Sequence, residues 1–212
     1  MTADDRAGPV RVGQERLPAN LATQVTYLGH GREAVRLARA ALDGAGRAPA
    51  AVFARLYTTE ACAQAVAGDQ RACTTALRKA ANAIERARPE EGPTWVGYFS
   101  PAYFAGTAVR CFRDLRMYPQ ALRHGPAALD LAAHNARTRA LHTALLATTH
   151  ADAGDLDAAC DLGTRALHLA GEIQSRRVRH RFAEPHTRLA PHRSVPAGNN
   201  LLEQLGTQSA AA

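Results

Sequence analysis

The chain has 212 residues, 46% apolar and 21% charged, the balance of one or two folded units rather than of a disordered or fibrous chain. Its net charge of +7 permits an acidic partner or nucleic acid but establishes neither, because Lys79 is the only lysine and a GC-rich genome alone would produce such an arginine bias. No apolar core of a secretory signal opens the chain, and every apolar run is cut by Arg, Asp, Gly or Pro before the ~18 residues that a membrane helix needs, so no membrane association and a cytoplasmic location are expected.

Residues 1–16 are expected to form a disordered N-terminal segment and 191–212 a disordered tail. Between them, residues 17–190 are expected to form an all-α superhelix of helical repeats with one loop insertion, since helical periodicity is widespread and Val and Ile never alternate over a useful length. Helix pairs are expected near 18–28/31–43, 50–66/70–87, 102–115/118–133 and 138–152/156–173, with a capping helix near 176–190. Gly68-Asp69 and Gly154-Asp155 read as a helix-ending glycine followed by the next N-cap. Ser100-Pro101 reads as an N-cap with proline at the first helical position. After Gly154, residues Leu156, Ala159, Cys160, Gly163, Ala166, Leu167 and Ala170 follow one helix face.

The pairs repeat. With Gly29, Gly68, Arg116 and Gly154 as equivalent turns, Ala41, Ala80, Ala128 and Ala166 follow at twelve residues. Ala34, Cys73, Ala121 and Ala159 follow at five, and Ala22, Ala61, Val109 and Ala147 precede at seven. Small residues at fixed distances from a turn are what two closely crossing helices require, and the phasing matches the tetratricopeptide pattern. The turn spacings are 39, 48 and 38 residues. The long one holds an insertion, 88–101, where Trp95, Tyr98 and Phe99 are expected to fold back on the flanking helices, an aromatic ligand cage being the alternative.

The stretches PTWVGYFSPAYFAG, CFRDL, ALHTALLATTHADAGDLDAACDLGTRALHLA, SRRVRH and RLAPHRSVPA resemble the C-terminal tetratricopeptide-like region of actinobacterial transcriptional regulators of the Cro/repressor helix-turn-helix type. The resemblance covers roughly 17–196 and implies a sensory or protein-interaction module that is not an enzyme. Residues 1–16 are too few for a helix-turn-helix domain, so a fragment, a truncated gene product or a free-standing module is expected. Pro126 and Pro185 fall inside expected helices, where proline removes a donor and kinks the chain, and AGNNLLEQLGTQSAAA drifts from the family's ending. Both departures suggest relaxed constraint, as in a degenerate paralogue.

Catalytic and metal patterns are missing. Cys62, Cys73, Cys111 and Cys160 form no CxxC pair and read as buried thiols. Nine histidines include no HExxH, although His142 and His150 could share a face near Asp152. No Walker loop, GxSxG or GxGxxG occurs, and Glu90-Glu91 are adjacent in a loop rather than opposed. No cofactor or metal is therefore expected. The basic run 175–181, with Arg176, Arg177, Arg179 and Arg181, reads as the polar face of the capping helix, or alternatively as a nucleic-acid contact.

In tetratricopeptide arrays the first helix of each pair lines the concave side. Counting thirteen, ten, six and three residues back from the turns gives Arg55, Thr58, Cys62 and Ala65, then Tyr103, Gly106, Arg110 and Arg113, with Arg16 and Thr23 from the first repeat. The expected site is thus Arg55, Arg110 and Arg113 around Tyr103, with Gly106 leaving room for a ligand backbone. Such a site suits a protein or peptide partner with an anionic group, or a small signal. The plainer alternative pairs these arginines with Asp114 and Asp152 or leaves them in water. Sequence-specific DNA binding by the chain alone is not expected, and a homodimer is allowed.

Overall fold

The computed structural model describes residues 16–171, and these are helical, with no strand among them. The helices are α1 Arg16–Tyr27, α2 Gly31–Gly44, α3 Ala50–Val66, α4 Gln70–Arg86, α5 Pro101–Asp114, α6 Tyr118–Arg123, α7 Gly125–Leu129, α8 Ala136–Asp152 and α9 Leu156–Gly171. The expected capping helix, most of the N-terminal segment and the tail lie outside the described residues. The chain divides between Phe99 and Ser100 into two compact units, each built from two helical hairpins.

Four hairpins share one turn. Gly29, Gly68, Arg116 and Gly154 each sit in the middle of a three-residue connection, with φ of 82°, 80°, 57° and 87°. At each, the middle amide bonds three residues back and the next amide five back: Gly29 to Thr26 and His30 to Val25, Gly68 to Ala65 and Asp69 to Gln64. Arg116 to Arg113 and Met117 to Phe112, then Gly154 to Ala151 and Asp155 to His150, repeat it. These paired bonds satisfy the orphan carbonyls of the first helix and need a left-handed residue at the middle position. Glycine adopts that conformation freely, and Arg116 adopts it against its Cβ.

Asp69 accepts from the Ala72 amide at 2.8 Å and Asp155 from the Ala158 amide at 3.2 Å, so both N-caps form. Ser100 accepts from Tyr103 N at 3.2 Å ahead of Pro101. The third hairpin departs from expectation. Pro126 has no amide to donate and crowds the preceding turn. The helix therefore breaks at His124 into α6 and α7 instead of running to 133.

The core is mostly alanine. Ala41, Ala80, Ala128 and Ala166 are all 0% exposed, as are Ala34, Cys73, Ala121 and Ala159. Ala22, Ala61, Val109 and Ala147 are buried as well. Small side chains let helix backbones approach closely, and density rather than large apolar area holds them. In the first unit, α1 packs on α2 and α3, and α3 on α2 and α4. A Cβ on Gly31 would come 2.6 Å from the Ala67 nitrogen, so α2 starts directly against the end of α3. In the second unit, α5 packs on α6, α7 and α8, and α8 on α6, α7 and α9.

The insertion folds back on the first unit in two 3-10 turns, Pro89–Glu91 and Thr94–Val96. Val96 is 2% exposed, and Trp95 and Phe99 pack with it on a cluster of Ala19, Ala41, Ala45, Val52 and Leu56. The aromatics thus supply the apolar volume that the alanine helices lack.

Candidate functional site

In the first unit the expected site contributes Arg55, on α3, and the chain buries it. A guanidinium out of water is costly unless its donors are met. Arg55 Nε donates to the Tyr98 hydroxyl at 2.8 Å, and its two terminal nitrogens donate to Thr23 Oγ1 at 3.3 Å and to Thr59 Oγ1. Thr23 and Thr59 spend their own protons on the Ala19 and Arg55 carbonyls at 2.9 and 3.0 Å, which turns their lone pairs toward the arginine. Tyr98 comes from the insertion, so the aromatic loop both packs the unit and receives the Arg55 charge. Arg16 lies 5.9 Å from the centre of the Trp95 ring. Thr58 and Ala65 are buried on the same helix.

In the second unit Arg113, at the end of α5, pairs with Asp152, at the end of α8, at 2.7 Å between Nε and Oδ2. Their side chains are 7% and 12% exposed, so this ion pair is interior. Arg110 stands one turn earlier, 3.9 Å from Asp114 and half-buried. The plainer alternative thus describes both partners. Tyr103 is half-buried at the start of α5, its ring 6.3 Å from that of His142.

The space beside Gly106 is filled from within. A Cβ there would strike the His142 imidazole, so the missing side chain admits His142 of α8 and not a ligand backbone. His142 Nδ1 sits 2.7 Å from the Ala128 carbonyl at the end of α7, and because a carbonyl only accepts, this nitrogen carries a proton and donates it. Burial holds this imidazole below the ordinary histidine value, and the Ala128 bond opposes that shift. One side chain thereby ties α5, α7 and α8 together.

His142, His150 and Asp152 do not gather. His150 Nδ1 lies 3.0 Å from Asp155 Oδ2 across the fourth turn, while Asp152 belongs to Arg113. The Ala158 amide first, and His150 second, hold the Asp155 carboxyl below its usual range. His124 stacks on Phe112 with ring centres 5.6 Å apart, and burial first, then Arg123, pushes it down. Cys73, Cys111 and Cys160 are buried, and desolvation, reinforced by Asp157 and Asp161, raises the Cys160 thiol, which makes it a poor nucleophile. Among the described residues no group of three or more His, Cys, Asp or Glu could hold a metal, and no helix is long and apolar enough to cross a membrane.

Of the five expected site residues, Arg55 belongs to the first unit and Tyr103, Gly106, Arg110 and Arg113 share α5 in the second. Tyr103 and Arg110 keep partial exposure, and the other three are buried. The basic run 175–181 lies outside the described residues. Sequence reasoning named His142 only beside His150 and Asp152 and missed its packing against Gly106, although a signal was present. Its position, twelve before the turn, holds Leu17, Leu56 and Phe104 in the other repeats, so a histidine there needed an internal partner. Comparisons with family models, curated proteins and solved structures give no match.

Proposed function

We propose that this chain is a non-catalytic, tetratricopeptide-like interaction module that serves a transcriptional regulator by binding a protein, a peptide or a small signal. The observation that carries this reading is the fourfold turn: one left-handed residue, one pair of backbone bonds and small buried residues at fixed distances on either side. Hairpins stacked by such a register present the first helix of each pair as a recognition surface. The regulator comes from the sequence resemblance. The chemistry supports binding over turnover, because the buried arginines are engaged and the titratable groups pair locally within the scaffold. Tyr103 and Arg110 are the site side chains left with partial exposure, two turns apart on α5, and a ring and a guanidinium on one helix suit a peptide with an anionic group.

The test is recovery of partners on the tagged chain expressed in its native host. Tyr103→Ala combined with Arg110→Glu is expected to reduce recovery of a specific partner by at least about tenfold while helical circular dichroism is unchanged. Undiminished recovery of that partner would overturn the assignment.

A further inference from the structure

We propose that the outer face of α1 is a self-pairing surface, on which a second copy of this chain packs helix against antiparallel helix about a two-fold axis level with Ala22 and Thr23.

α1 is apolar on two opposite faces. Its inner face buries Ala19, Ala22 and Thr26. Its outer face carries Leu17, Leu21 and Leu28, which are 68%, 42% and 70% exposed. Leu28 continues the helical path, since its amide bonds the Gln24 carbonyl at 3.1 Å. Leu17, Leu21, Gln24 and Leu28 follow one another at four, three and four residues, within about 60° of arc around the helix. That spacing is the seam of a two-helix contact. The one charge on α1, Arg16, lies over Trp95. The other outward helix faces of this unit are charged: α2 exposes Arg32, Arg36, Arg39 and Asp43, and α4 exposes Arg71, Arg78, Lys79 and Arg86.

The repeat register shows that these positions are interface elsewhere. Leu17 and Leu21 stand twelve and eight residues before Gly29. The same positions before Gly68 are Leu56 and Glu60, and α2 covers both: Leu56 packs with Ala41 and Ala45, and Glu60 meets Arg39 at 3.6 Å. Before Gly154 they are His142 and Leu146, which meet α7 at the Ala128 carbonyl and at Gly125. In α3 and α8 the preceding hairpin fills this surface. In α1 the surface is apolar and, among the described residues, no element covers it.

The arrangement of the seam selects a second copy as the occupant. Reversed end to end, it matches itself, with Leu17 opposite Leu28 of the other copy and Leu21 opposite Gln24. Residue i then meets j while j meets i, which is the requirement of an isologous dimer. No charge stands in the seam to repel its own image. One short helix face offers less than the ~800 Å² per partner of a standard interface, so the pairing is weak and depends on concentration.

Sedimentation equilibrium of the full chain from about 5 to about 500 µM tests this. The mean mass is expected to rise from the 22.6 kDa monomer toward twice that value. Leu28→Arg places a charge opposite Leu17 twice per dimer and should weaken pairing by more than about tenfold, with unchanged circular dichroism. Gln24→Leu converts both Leu21–Gln24 layers to Leu–Leu and should tighten pairing by at least about tenfold. A chain that stays monomeric with or without Gln24→Leu overturns the proposal. So does a dimer indifferent to both substitutions, or a face that takes up only a different helical protein.

Discussion

The imidazole of His142 occupies the space that a side chain on Gly106 would need, and its Nδ1 holds the Ala128 carbonyl at 2.7 Å. A mid-helix glycine that costs roughly 1 kcal/mol against alanine is thereby retained for a packing reason. Gly106→Ala is expected to destabilise the protein by about 1–3 kcal/mol through overpacking. Gly106→Ala with His142→Ala should cost less than the sum of the two single changes, because the collision is gone. Urea unfolding of all four proteins measures the coupling, and strict additivity would contradict the contact.

The same histidine makes stability depend on pH. Its folded value, like that of His124, lies below the unfolded one, so the unfolded chain binds more protons in the interval between them. Their contribution is complete above the ordinary histidine value near 6.5 and is lost as pH falls below it. Melting temperature should therefore decline from neutral toward mildly acidic pH, and His142→Gln should flatten that decline. The lowered Asp155 carboxyl acts in a separate, more acidic window, with its contribution present above about 3.8 and lost below.

Arg116 holds the turn geometry with a side chain at φ 57° where the other three hairpins use glycine. Arg116→Gly is expected to stabilise by up to about 1 kcal/mol, the strain relieved less the entropy that glycine adds to the unfolded chain. Gly68→Ala, at φ 80°, should destabilise by a similar amount. Thermal melts that rank these two variants in the opposite order would show that the turn is not under strain.

The two arginines on α5 separate scaffold from surface. Arg113→Ala removes the 2.7 Å bond to the interior Asp152 carboxylate and is expected to cost clearly more than Arg110→Ala, which lies beside a half-exposed Asp114 and should cost under about 1 kcal/mol. Equal losses in chemical denaturation would refute the distinction. Likewise Ala80→Leu, at a crossing that is 0% exposed, should cost about 1–3 kcal/mol.

The hairpin register could be read from the sequence because it is carried by local chemistry: a left-handed turn residue and small side chains at set distances from it. Even Arg116, identified as a turn by its phase alone, adopts the positive φ that its place implied. The break at His124 was marked by Pro126, but its extent depended on packing around α7. The expected site was read less well. Counting from the turns identifies which residues share a helix position, but not whether a neighbour covers them. Counting places Arg113 on a ligand-facing wall and leaves pairing with Asp152, thirty-nine residues away, as the plainer alternative, and it is that pairing that the structure shows. Gly106 and His142 show the same limit, since a vacancy in one helix and a ring in another meet only in three dimensions.

The third hairpin combines the strained Arg116 turn with a second helix split into segments of six and five residues. Opening free energy varies along a structure, and short segments with few internal bonds open first. Amide exchange should therefore be fastest in α6 and α7. The His142 bond to Ala128 then acts as a clasp on the segment most prone to leave, and removing the ring in His142→Ala should speed exchange in α6 and α7 further while α8 and α9 remain folded.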